Sequence, residues 1–174
     1  MAAGATYTPI ATTTLGSAQA SYTFSSISGS YTDLVLICGS LGTSSSGTIM
    51  LTFNSDTGTN YSYTELDGYN VSGTMTTKSD RTSSATKINF TNWVGTDTNN
   101  NSNLIVNINN YSNSTTYKTA IGRMNNGTSV NYAGTAATVG LWRSTAAITS
   151  VTITPSSGNL ITGSIFTLYG IVAA

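Results

Sequence analysis

The chain has 174 residues, of which 39% are hydrophobic, enough for one domain with its own core and too many for a disordered segment. Charged residues make up only 7%, six basic and six acidic with a formal net charge of zero, against ~25% in an ordinary soluble domain. With no basic run among Lys78, Arg81, Lys87, Lys118, Arg123 and Arg143, binding to nucleic acid by phosphate neutralisation is excluded as an expectation.

Solubility therefore rests on Thr, Ser and Asn, and a neutral hydroxyl-rich surface gives little repulsion between neighbouring copies. Cys38 is the single cysteine and sits in the apolar run LVLICG, so it reads as a buried structural thiol. MAAGATYTPIATTTLGS lacks the features of a secretory signal, and no run nears the ~20 apolar residues of a membrane span. Helical periodicity is nearly absent, while ten tyrosines and many β-branched residues favour sheet.

Taken in order, residues 5–15 predict a short strand interrupted at Pro9 and hence at an edge, with residues 1–18 an arm or edge strand of a single domain over 1–174. Residues 20–27 alternate around Tyr22 and Phe24. Residues 31–41 form a long apolar strand, 42–47 a flexible loop, and 48–54 a strand expected to pair back as a hairpin. SDTGT at 55–59 is a tight turn before the strand 60–66, and Asp67-Gly68 is a further turn signal.

Tyr69 to Thr86 is polar throughout and reads as the longest irregular loop, suited to a contact role. Strands follow at 86–94, 103–111, 117–124, 138–144 and 147–154, with turns at 113–116 and 125–129. The last stretch, 148–174, reads as a closing hairpin around Pro155 to Asn159, whose second arm, 164–171, is too apolar to fray and belongs in the core. Some ten short strands with turn signals every 8–12 residues, and no fixed repeat, predict an all-β fold: a two-sheet antiparallel β-sandwich, jelly-roll-like.

Chemistry is thin. The absence of histidine removes the common Ser-His-Asp and Cys-His arrangements and nearly all zinc catalysis. Glu65 and Asp67 are a close carboxylate pair of the kind glycosidases use, but their setting reads as the end of a hairpin. Asn54, Asp56, Gly58, Asn60 and Glu65 partly match a calcium-loop template, with the glycine one place early and strands on both flanks, so a plain turn is preferred. Asn60, Asn70, Asn89 and Asn126 head sequons that arise by chance in such a composition. No cofactor is expected.

Tyr61, Tyr63, Tyr69, Tyr111, Tyr117 and Tyr132 lie near asparagines and offer platforms for sugar stacking, though half-buried sheet tyrosines explain them as well. Trp93 and Trp142 read as core or interface residues.

Three pieces carry a resemblance: SYTDLVLICGSLGTSSSGTIMLTFNSDTGTNYSY (30–63), GLWRSTAAITSVTI (140–153) and GSIFTLYGI (163–171). Together they resemble a family of β-sandwich virion proteins of tailed bacteriophages, with its early YTDLVL strand, its FNSDTG hairpin followed by Tyr, and its GS-x-F-x-LYGI ending. The resemblance implies a non-enzymatic structural role in a virion, made in the host cytoplasm. The implied partner is the major capsid protein or another virion protein, and the form is a homo-oligomer, a trimer, on the capsid surface. The family also includes tail-fibre modules, whose ligand would be a host glycan. By the resemblance, Phe53, Asp56, Gly58, Tyr61, Trp142, Gly163, Phe166, Leu168, Tyr169 and Gly170 are framework. The segment 70–135 departs from the pattern, and loops 42–47, 70–85, 95–103 and 125–136 are the expected contacts. Tyr69, Lys78, Arg81, Tyr111, Tyr117 and Tyr132 are the candidate partner-contact residues.

Overall fold

The computed structural model of the protein describes residues 6–96, 102–129 and 132–172. These residues hold twelve strands and no helix. The strands are β1 (Tyr7–Thr14), β2 (Tyr22–Phe24), β3 (Asp33–Leu41), β4 (Gly47–Phe53), β5 (Tyr61–Val71) and β6 (Thr74–Ala85), then β7 (Ile88–Val94), β8 (Ser102–Asn109), β9 (Lys118–Ser129), β10 (Tyr132–Trp142), β11 (Val151–Pro155) and β12 (Ile165–Ile171). They build two antiparallel sheets, one of eight strands in the order β1-β12-β3-β8-β9-β10-β5-β6 and one of four in the order β2-β11-β4-β7.

Eight of these strands form a jelly roll. The quartet β1-β12-β3-β8 faces the quartet β2-β11-β4-β7, and the chain changes sheet at every step through these eight except from β4 to β7, which are neighbours in the small sheet. Two hairpins are inserted. The β5–β6 hairpin lies between β4 and β7, and the β9–β10 hairpin between β8 and β11. Both extend the larger sheet and meet each other along β5 and β10, from Gly134 opposite Tyr69 to Trp142 opposite Tyr61.

Alternation sets the core. Leu34, Leu36 and Cys38 of β3, Leu104, Val106 and Ile108 of β8, and Phe166 and Leu168 of β12 point inward from the large sheet. Ile49, Leu51 and Phe53 of β4, Ile88 and Phe90 of β7, and Val151 and Ile153 of β11 meet them from the small one. All are buried, each contributing on the order of 1.5–3 kcal/mol. Two glycines let the sheets close: a Cβ on Gly122 would lie 2.2 Å from the Phe90 ring, and one on Gly140 would lie 2.5 Å from Ile88.

Several expectations are corrected. The strand at 48–54 does not pair back on 31–41, because β3 is already flanked by β12 and β8, and β4 belongs to the opposite sheet. The closing hairpin is likewise an arch between sheets: β11 pairs with β2 and β4, and β12 lies between β1 and β3. Leu160 fastens the arch by exchanging backbone hydrogen bonds with Gln19, at 3.0 and 2.8 Å.

The stretch 69–86 is not an irregular loop. It completes β5, turns at Ser72-Gly73 with φ of 50° and 85°, and returns as β6. Its apolar alternation is missing because both faces of β6 are exposed to solvent along nearly all its length. Asp67-Gly68 is not a turn either: Gly68 is paired on both sides, to Thr135 and Thr77. The expected turn at 125–129 is the end of β9. The strand predicted at 5–15 is the edge strand β1, with a register shift between Pro9 and Ala11.

Candidate docking face and acidic overhang

The SDTG turn is held by side chains. Asp56 Oδ1 accepts the Gly58 N–H at 2.8 Å, and Oδ2 accepts the Trp142 Nε1–H at 2.7 Å and the Asn60 Nδ2–H at 2.9 Å. The indole, then Asn60, hold the Asp56 carboxyl below the usual carboxylate range. Beneath it, Tyr61 stacks on Trp142 at 6.3 Å, and its hydroxyl accepts from Phe53 N at 3.0 Å and donates to Phe53 O or Asp56 O, each at 3.2 Å. Burial pushes the Tyr61 hydroxyl up to about 12. The residues of the calcium-loop match are engaged within the fold: the Asp56 oxygens face N–H donors, and Glu65 faces Lys78 on another strand.

The residues expected as framework hold structural places. Phe53, Tyr61, Trp142, Phe166 and Leu168 are buried, Asp56 and Gly58 form the turn, and Gly163 takes a left-handed φ of 88°. Gly170 lies flat under Tyr31, where a Cβ would fall 2.3 Å from the ring, and half-buried Tyr169 faces outward.

The inserted hairpin carries the charge. On the inner face of the large sheet, beyond the small sheet's edge, Glu65 stands opposite Asp80, and Asp67 opposite Lys78. Glu65 and Asp67 are 2% and 7% exposed. The Lys78 ammonium lies 3.5 Å from both Glu65 Oε1 and Asp80 Oδ2. Burial, then the Asp67 charge, raises Glu65 above the usual range; burial also raises Asp67, with Lys78 partly offsetting it. Asp67 Oδ1 has no hydrogen-bond partner. A polar cleft of ≈ 340 Å³ opens beside the cluster, lined by Ser46, Thr48, Tyr63, Asn89 and Ser156 with Glu65, Lys78 and Asp80. Glu65 is thus paired with a lysine on the neighbouring strand, two residues from Asp67 on the same face.

The outer face of the large sheet is different in kind. Pairing aligns Tyr169, Val35, Asn107, Ile121, Val139 and Thr64 in one row, and Thr167, Ile37, Ile105, Arg123, Ala137 and Leu66 in the next. On β1, Pro9 stands opposite Tyr169, and the ring of Tyr7, which is paired with Ile171, reaches back edge-on to Tyr169 at 6.1 Å. Leu66, Val139, Tyr7 and Ile121 are 46–62% exposed. The apolar band crosses seven strands from β1 to β5, about 29 Å at ~4.8 Å per strand. Asn107 and Thr64 interrupt the first row, Thr167 and Arg123 the second, and Arg81 lies beside Thr64 on β6. Scattered exposed apolar residues are ordinary; here several of them are neighbours on one face of the sheet.

The six candidate contact residues are not brought together. Tyr69 is half-buried and Lys78 exposed on the overhang's inner side, Arg81 is exposed on the outer face, and Tyr117 is exposed in the loop before β9. Tyr111 is a correction: it is completely buried, accepts a bond from Tyr31 N at 3.4 Å and donates to Ser28 O, so it holds loops together rather than meeting a partner. Tyr61, offered for sugar stacking, is also buried in full. The side chains of Trp93 and Tyr132 lie outside the described residues, as do parts of the expected contact loops 95–103 and 125–136. Lys118, one of the scattered cations in sequence, is fully buried and donates to the carbonyls of Thr116 at 2.6 Å and Thr145 at 3.2 Å. The outer-face band was missed because its residues pair across strands far apart in the chain. Its nearest signal was the ambiguous alternation of Leu104-Ile105-Val106.

These features define a jelly-roll β-sandwich with an extended sheet and a nearly uncharged outer face. No family model matches the chain, and no curated protein matches it. Among solved structures, a chain titled "Structure of infectious bursal disease virus Gx strain" aligns at 9% identity and a TM-score of 0.14. That alignment covers 95% of this chain, which spans 42% of the other's length, and a likeness so slight carries no argument.

Proposed function

We propose that the protein is a non-enzymatic virion structural protein of a tailed bacteriophage, a capsid decoration protein that lies on the outside of the major capsid protein. The sequence motifs shared with phage β-sandwich proteins suggest the class, and one observation supports the mode of action. The outer face of the eight-stranded sheet presents neighbouring exposed apolar residues interspersed with Thr, Asn and one Arg, a surface suited to packing against another protein. Low charge removes the repulsion that would oppose close packing of many copies. Repetition over a lattice converts a modest affinity per copy into avidity for the shell.

Mass spectrometry of purified particles tests this reading. Hundreds of copies in fixed ratio to the major capsid protein are expected. About a dozen would move the protein to a tail or appendage, and absence from particles would end the virion reading. Ile121→Asp with Val139→Asp, on exposed positions, is expected to leave the fold intact and to lower occupancy at least tenfold. Unchanged occupancy would show that another surface docks.

A further inference from the structure

We infer that the outward edge of β6 is an interface for a second copy of this chain, joined about a two-fold axis. The large sheet has two edges. At β1 the edge is blunted by Pro9 and the register shift beside it. At β6 it is not: twelve residues without proline pair on one side only, and from Thr74 to Thr82 the ladder to β5 is regular. In the small sheet, β2 is only three residues long. β6 is thus a long edge without proline or bulge from Thr74 to Thr82; the Arg81 N–H is taken by Asp80 Oδ1 at 2.7 Å and the Ser83 carbonyl by Arg143 at 3.2 Å, so pairing through the Arg81 N–H displaces that Asp80 contact.

Its charges select one register. A two-fold axis perpendicular to the sheet keeps both inner faces on one side, so inward residues must meet inward residues. Lys78 and Asp80 point inward, and Ser79 and Arg81 outward. Centred on Lys78, the pairing sets Lys78 against Lys78; centred on Asp80, it sets Asp80 against Asp80. Centred on Ser79, it sets Lys78 of each copy against Asp80 of the other, twice.

Both side chains are about half exposed, 49% and 53%, and their contacts within the chain are long or local: Lys78 meets Glu65 and Asp80 at 3.5 Å, and Asp80 Oδ1 accepts the neighbouring Arg81 N–H. Inward charges commonly guard an edge against pairing. Here they forbid the two neighbouring registers and favour the one between them. The same axis leaves both outer faces on one side of a continuous sheet.

Sedimentation of the intact chain over about 1–500 μM tests the inference, and the expected mass rises toward twice 18.0 kDa. Lys78→Asp alone, or Asp80→Lys alone, is expected to shift the midpoint at least tenfold toward monomer. The double swap is expected to restore it, since opposite charges meet again. Ser79→Cys, on an exposed outward position, is expected to give an interchain disulfide on mild oxidation, with Cys38 buried and inert. A monomer throughout, a trimer, a double swap no better than the singles, or no crosslink through residue 79 would each overturn the inference. Circular dichroism of each variant separates lost pairing from lost folding.

Discussion

Asp56 accepts three N–H donors on two oxygens, and removing its charge leaves the Trp142 indole and the Asn60 amide with a weaker acceptor. Asp56→Asn is expected to cost ~1–2 kcal/mol, read from the urea midpoint. The folded chain holds this carboxyl below its unfolded pKa of 3.8, so its contribution is complete above that value and fades as pH falls through the folded pKa. Glu65 and Asp67 behave oppositely. Their folded pKa values lie above the unfolded ones, so they favour the fold when protonated, and that contribution is lost as pH rises through the folded values. Glu65→Gln with Asp67→Asn is therefore expected to raise the melting temperature at pH 7–8 and to change it little at pH 4. Sequence made the turn legible through SDTG, but not its bond to Trp142, which lies 86 residues away. Nor could it show that Lys118 is buried while Lys78 stays half-exposed beside Glu65 and Asp80, because burial of a long cation depends on which carbonyls the fold brings to its tip.

Among the elements, the strands with one buried face were readable and the inserted hairpins were not. β12 and β8 alternate cleanly because one face meets the core and the other solvent. β6 alternates in nothing, since neither face meets a core, so its Thr and Ser residues looked like loop. The glycines of β9 and β10 show the reverse case. Glycine inside a strand is ordinarily a cost, yet Gly122 and Gly140 make room for Phe90 and Ile88. Gly122→Val is expected to cost at least 1–3 kcal/mol by overpacking, measured by chemical denaturation. Gly73, with its φ of 85° at the β5–β6 turn, is expected to tolerate alanine only at a cost of ~1 kcal/mol.

For the whole molecule, the order of strands matters more than any single contact. β12 is laid between β1 and β3, so the sheet cannot close until distant parts of the chain meet. Refolding is therefore expected in the millisecond-to-second range rather than faster, by stopped-flow fluorescence of Trp142 and Trp93. A chain ending at residue 160 is expected to show no cooperative unfolding transition, because β1 and β3 lose their shared neighbour and Phe166 and Leu168 leave the core.

The sequence by itself determined the all-β character, the inward residues of the alternating strands, the SDTG turn and the poverty of charge. Those properties are local, written in side-chain period and backbone preference. Tertiary structure alone decided that 31–41 and 48–54 lie in opposite sheets, that the last two strands form an arch, and that Ile37, Ile105, Ile121, Val139 and Leu66 share one face. A strand's hydrogen-bonding edge is the same for every partner, so its neighbours are chosen by which pairings together cover the core, and only the folded chain makes that choice.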